Sequence, residues 1–126
     1  MPKLHLVALG GRLRGWAAEA RDDYLRRMPR GYAVACADKI PRGVRVVALD
    51  ERGRDLTTRQ FAALLDEPTA FVVGGPDGLD EAVKRSAALL VRLSALTLPH
   101  ALAQVVLAEQ LYRAATLRTG HPYHRE

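Results

Sequence analysis

The stretch that most constrains this chain is a long apolar helix close to its C-terminal end. Pro99 suits the first turn of a helix, where its fixed φ and missing N–H cost nothing, and Gly120 stands where helices commonly stop. The sequence therefore predicts one helix over 99–119. Within it Leu102, Val105, Val106, Leu107, Ala108, Leu111, Tyr112, Ala114, Ala115 and Leu117 leave only a thin polar strip of Gln104, Gln110, Arg113 and Arg118. A helix that is apolar almost all round has to be covered on more than one side. A short chain has one layer of core to set against it, so the cover expected for the other side is a second copy of the protein. The sequence thus predicts a homodimer.

The 126 residues leave room for one domain, running 1–126, that buries roughly two-thirds of the surface its unfolded chain exposes. Hydrophobic residues at 48% and charged ones at 26% fit a globular protein and exclude a disordered one. Arg92, Pro99 and His100 interrupt the apolar runs before they reach bilayer length, so no membrane association is expected. Segment 3–9 is too short and too alternating for a signal peptide, and the single Cys36 has no intramolecular partner, which points to a cytoplasmic protein. The 19 basic residues against 14 acidic ones give +5, and most of the basic ones are arginine. Arginine's planar fork of donors suits phosphates, and two subunits double the field, so nucleic acid is the natural partner. A GC-rich genome and surface solubility would produce the same bias.

Strands and helices alternate without internal repeats. Strands are predicted at 3–9, 32–37, 44–49, 70–73 and 89–93, and helices at 16–28, from Thr57 or Thr58 to 65, at 80–87 and at 99–119. The first helix is expected to turn Trp16, Ala20 and Tyr24 inward, with Ala17 and Met28 at the edge of that stripe. Asp50 to Asp55 reads as a polar turn, and Asp80 as a helix cap. This is an α/β pattern with a mostly parallel sheet.

In such sheets ligands bind beyond the carboxyl ends of the strands, which singles out the loops after Leu49, Val73 and Leu93. In VVGGPDG, Gly74, Gly75 and Gly78 carry no side chain and let a ligand approach the backbone. The spacing is GGxxG rather than the dinucleotide-binding GxGxxG, and an ordinary turn would also explain it. LSALTLP places two hydroxyls in an apolar loop ahead of a helix start, able to surround a flat heterocycle and bond its edge, although such a run is also common as core. His121, Tyr123, His124, Arg125 and Glu126 fall in the last six positions, where termini usually carry dispensable residues.

Taken together, the GGPDG loop, LSALTLPH, the VLAEQLYRA helix and the terminal HPYHRE, with the opening KLHLVALG and the helix end DYLRRMP, resemble the RlmH family of SPOUT-class ribosomal RNA methyltransferases. The resemblance covers most of the chain and is most specific in its last thirty-odd residues. It implies a SPOUT-type α/β fold, a mostly parallel sheet with helices on both faces and a C-terminal trefoil knot, in an obligate homodimer. It also implies S-adenosyl-L-methionine as methyl donor and, as reaction, methylation of N3 of a pseudouridine in 23S ribosomal RNA on the assembled ribosome. Carried onto matching positions, the cofactor would be held by Leu49, Gly74, Gly75, Leu93, Ser94, Ala95, Leu96, Thr97 and Leu98.

The sulfonium methyl is already activated, so what remains is to align the acceptor nitrogen and manage its imide proton, with no metal expected. His124 or Tyr123 is a candidate base, and Arg125 a candidate for stabilising negative charge or gripping phosphate. Alternatively, His121, Tyr123 and His124 only order the C-terminus or pack over the cofactor, and His100 serves to fix its loop. Arg12, Arg14, Arg26, Arg27 and Arg30 are candidate RNA contacts, or solvated charges. One departure stands out. Family members carry a basic helix between the second strand and the strand ending at Leu49, where this chain has only CADKIPRGV. A non-catalytic, knotted RNA-binding dimer, or a SPOUT methyltransferase with another RNA substrate such as transfer RNA, are the alternatives.

Overall fold

A computed structural model describes residues 3–123 of the chain. Apolar runs rich in valine, leucine and alanine form five strands: β1 (Leu4–Ala8), β2 (Val34–Ala37), β3 (Arg45–Arg54), β4 (Thr69–Val73) and β5 (Leu89–Val91). They pair side by side, all parallel, in the order β2-β1-β4-β3-β5. β4 lies at the centre and is buried along its whole length, as expected of a parallel strand covered on both faces. Four helices connect them: α1 (Gly15–Arg26), α2 (Thr58–Ala63) with a 3-10 turn at Leu64–Asp66, α3 (Glu81–Ser86) and α4 (His100–Thr119).

The helices are shared unequally between the two faces. One face buries Leu4, Leu6, Val47, Phe71 and Val91 beneath α2 and α4, with Tyr24 and Leu25 of α1 packed alongside. On the other, Val7, Ala48, Ala70 and Val72 meet Leu79 and Val83 from the α3 region, and Ile40 and Val44 from the short connection between β2 and β3. The helix starts follow their sequence signals. Thr57 caps α2 in a reciprocal box with Gln60, Asp80 accepts from the Val83 N–H, and Gly120 ends α4 with a left-handed φ of 75°.

Three local expectations change. Trp16 does not turn inward: it is 65% exposed, and the buried residue of α1 is Ala17. β3 does not stop at Leu49 but continues to Arg54, slipping register against β5 between Leu49 and Arg54. Gly53 makes that slip possible, because a Cβ there would stand 2.6 Å from the backbone of Val91. Finally, Gln104 belongs to no outer polar strip. It is 2% exposed and accepts a hydrogen bond from Arg21 Nη1 at 2.8 Å, which satisfies its buried amide oxygen.

Candidate functional site

The carboxyl ends of β3, β4 and β5 open into a cleft of about 820 Å³. Its floor is the Val73–Leu79 turn. Gly75 to Gly78 close a tight turn, with the Gly78 N–H donating to the Gly75 carbonyl at 2.9 Å, Pro76 at the position that favours fixed φ, and Gly78 at φ +79°. The glycines are needed first by the protein itself. A Cβ on Gly74 would lie 2.5 Å from the Gly78 carbonyl carbon, and one on Gly75 would lie 2.8 Å from Gly10 Cα.

The second wall is the loop after β5. Leu93, Ser94, Leu96, Thr97 and Leu98 line the cleft, and Pro99, His100 and Ala103 carry the lining into α4. Ser94 Oγ accepts the Leu96 N–H at 2.9 Å, shaping the loop and leaving Leu96 79% exposed at the mouth. Arg92 holds the loop's root to the end of β3 through a two-pronged contact with Asp55 at 2.7 and 2.6 Å. This contact holds the Asp55 carboxyl below its ordinary range. The third wall is the continuation of β3. There Leu49, Asp50 and Glu51 face the cleft, and Lys84 Nζ of α3 stands 3.5 Å from Asp50 Oδ1.

Of the nine residues expected at the cofactor, Leu49, Gly74, Gly75, Leu93, Ser94, Leu96, Thr97 and Leu98 line this one cleft, while Ala95 lies outside the lining. Asp50 and Glu51 open the segment after Leu49 that the strand-end rule marks, but they were not named as site residues there; nothing local marks Lys84.

Tyr123 does not line the cleft of its own chain. Its ring packs edge-on to Tyr112 at 4.6 Å under the Arg113 guanidinium, and its hydroxyl donates to Glu109 Oε2 at 2.8 Å. Burial, followed by the Glu109 carboxylate, pushes this phenol up to about 12. His121 Nδ1 accepts the Tyr123 N–H at 3.2 Å. His124 and Arg125 lie outside the described residues.

A parallel α/β sheet with a glycine turn, an apolar loop and a helix start gathered around one cleft past its strand ends has the layout of the α/β class that takes ligands at those ends. Residues 33–124 match the profile of the family described as "Predicted SPOUT methyltransferase", and the chain belongs to that family. It is 44% identical to the "Ribosomal RNA large subunit methyltransferase H" of Polynucleobacter asymbioticus over 146 aligned positions, covering 98% of this chain and 99% of that protein. The protein of the same name from Burkholderia thailandensis is also 44% identical, over 154 positions with the same shares covered. Both alignments exceed the 126 residues of this chain, which is thus shorter than either relative while matching them end to end. In fold it is similar to a probable methylase family protein from Haemophilus influenzae Rd KW20, with a TM-score of 0.66, 14% identity, and 99% of this chain and 71% of that one covered.

Proposed function

We propose that this chain is an S-adenosyl-L-methionine-dependent methyltransferase of ribosomal RNA. Its acceptor is N3 of a pseudouridine in 23S RNA on the assembled ribosome, and it works in the cytoplasm as a homodimer with the C-terminal trefoil knot of its family. The observation that carries this reading is the single cleft joining three strand ends, in a chain 44% identical over nearly its whole length to proteins named for large-subunit RNA methylation.

The cleft suits the cofactor. Leu49, Leu93 and Leu98 offer apolar walls for a flat heterocycle, the loop backbone offers donors and acceptors for its edge, and Asp50 and Glu51 offer carboxylates for hydroxyls and an ammonium group. When bound, S-adenosyl-L-methionine supplies an activated methyl on sulfur. The protein's own tasks are to exclude water, orient the acceptor nitrogen and accept its proton. Tyr123 does not suit the last task, because a phenol ionising near 12 and donating to Glu109 stays protonated at neutral pH. The base role therefore falls to His124. Arg125 stabilises the charge that develops on the base oxygens.

Tyr123 packs on α4 against Glu109, Tyr112 and Arg113 and does not line its own cleft. The tail is read as completing the cleft of the second copy. Subunit mixing tests this. A cleft-filling Thr97→Trp variant and a His124→Ala variant are each expected to be inactive. After random exchange the mixture should recover about a quarter of the wild-type rate, because half of the dimers then hold one intact composite site. No recovery in exchanged dimers would show that cleft and tail act within one chain.

A further inference from the structure

The loop joining β1 to α1 contributes nothing to the cleft lining, yet it is locked to the cleft's floor. The Leu9 N–H donates to the Val73 carbonyl at 2.9 Å. Gly10, at φ +102°, lies so close to Gly75 that a Cβ on it would stand 2.5 Å from Gly75 Cα. Backbone against backbone leaves this loop no freedom to slide relative to the glycine turn.

Just beyond that contact the chain presents Arg12 and Arg14, both exposed, and then Trp16, 65% exposed in the first turn of α1. Neither arginine has an ion pair or hydrogen bond among the described residues. A shallow groove of about 590 Å³ continues from them past Ala18 to Arg26. Glu19 and Asp22 border it too, and Asp22 is taken by Arg21 at 2.9 Å. An indole left mostly in water two residues along the chain from Arg14, outside the groove lining itself, combines a stacking platform with phosphate donors. An apolar protein partner seated on the indole would have to strip water from both arginines without offering them charge.

We infer that the β1–α1 loop and the first turn of α1 form an RNA-docking surface beside the cleft. Trp16 stacks on an unpaired base while Arg12 and Arg14 hold phosphates. This deepens the proposed function and rests on it. Because Gly10 and Gly75 fix the loop to the floor of the cleft, RNA bound here is held in register with the methyl-donor site.

The test compares Trp16→Ala, Trp16→Phe and the double variant Arg12→Ala/Arg14→Ala with the wild type. The readouts are binding of a fluorescent hairpin RNA with unpaired loop bases, methyl transfer to unmodified ribosomes, cofactor affinity by calorimetry, and sedimentation. Trp16→Ala is expected to weaken hairpin binding roughly tenfold and to raise KM for ribosomes with little change in kcat, while Trp16→Phe retains most of the binding. The double variant is expected to lower the slope of log affinity against log salt by about 2. Cofactor affinity and oligomeric state should hold throughout. Unchanged RNA binding and KM in all variants, with wild-type methyl transfer intact, would overturn the surface and leave the proposed function standing. Dissociation of the Trp16→Ala dimer would overturn it as well, by showing that a second copy covers the indole. If the wild type transfers no methyl, the proposed function fails, and the hairpin and salt measurements still decide the surface.

Discussion

Tyr123 is held by its contacts at both the ring and the hydroxyl of the phenol. Its hydroxyl and Arg113 Nη2 both reach the same Glu109 oxygen, at 2.8 and 2.9 Å, so the phenol is a donor to a carboxylate that is already paired. A pKa raised from about 10 to about 12 contributes stability that is complete below pH 10 and lost as the pH climbs toward 12. Alkaline titration followed by tyrosine absorbance is expected to show one group ionising near 12, and Tyr123→Phe should remove that step. The same substitution should leave the shape of the pH–rate profile where it was, whereas His124→Ala should abolish methyl transfer. Gly74 makes a parallel case in the backbone. Gly74→Ala drives a Cβ to 2.5 Å from the Gly78 carbonyl carbon, so thermal unfolding should report a loss of roughly 1–3 kcal/mol, with cofactor binding weakened. Gly43→Asn, at φ +77° but with nothing within 4 Å, should cost about 1 kcal/mol or less and leave binding unchanged.

At the scale of elements, α4 organises the molecule: its N-terminal turn borders the cleft, its middle is the core, and its end carries the tail. The buried contact between Gln104 and Arg21 ties it to α1. Gln104→Ala leaves the Nη1 edge of the largely buried Arg21 guanidinium without its acceptor, while Nε keeps Asp22, so denaturant unfolding should show a loss of about 1–3 kcal/mol. The elements were legible in the sequence because their punctuation is local: Pro99 and Gly120 bracket α4, and Thr57 and Asp80 cap the helices they precede. The cleft was legible through loop position, since the segments after Leu49, Val73 and Leu93 all border it, while its individual residues came with the family resemblance. Hidden were features decided by distant partners. Nothing in DERGRD announces that β3 runs on over β5, because the space for Gly53 is made by Val91. Nothing marks Gln104 as buried, because its partner is 83 residues away. The periodicity that sent Trp16 inward treated an indole as core, and α1 packs instead through Ala17.

At the scale of the whole molecule, the cleft among the strand ends and Tyr123, which folds back onto Tyr112 and Glu109 of α4, are separate: Tyr123 does not line the cleft. Dimerisation through the half-buried Leu102, Val105 and Val106 side of that helix would bring them together. Val106→Asp is therefore expected to shift sedimentation from dimer to monomer and to abolish methyl transfer. Binding of S-adenosyl-L-methionine should persist, weakened, because the cleft's own lining belongs to one chain. The central claim is most directly tested by incubating the protein with labelled S-adenosyl-L-methionine and intact ribosomes from a strain lacking the family enzyme, then identifying the modified nucleoside by mass spectrometry. Label in N3-methylpseudouridine of 23S RNA is the predicted result. Unlabelled 23S RNA, with cofactor binding confirmed in the same preparation, would contradict it.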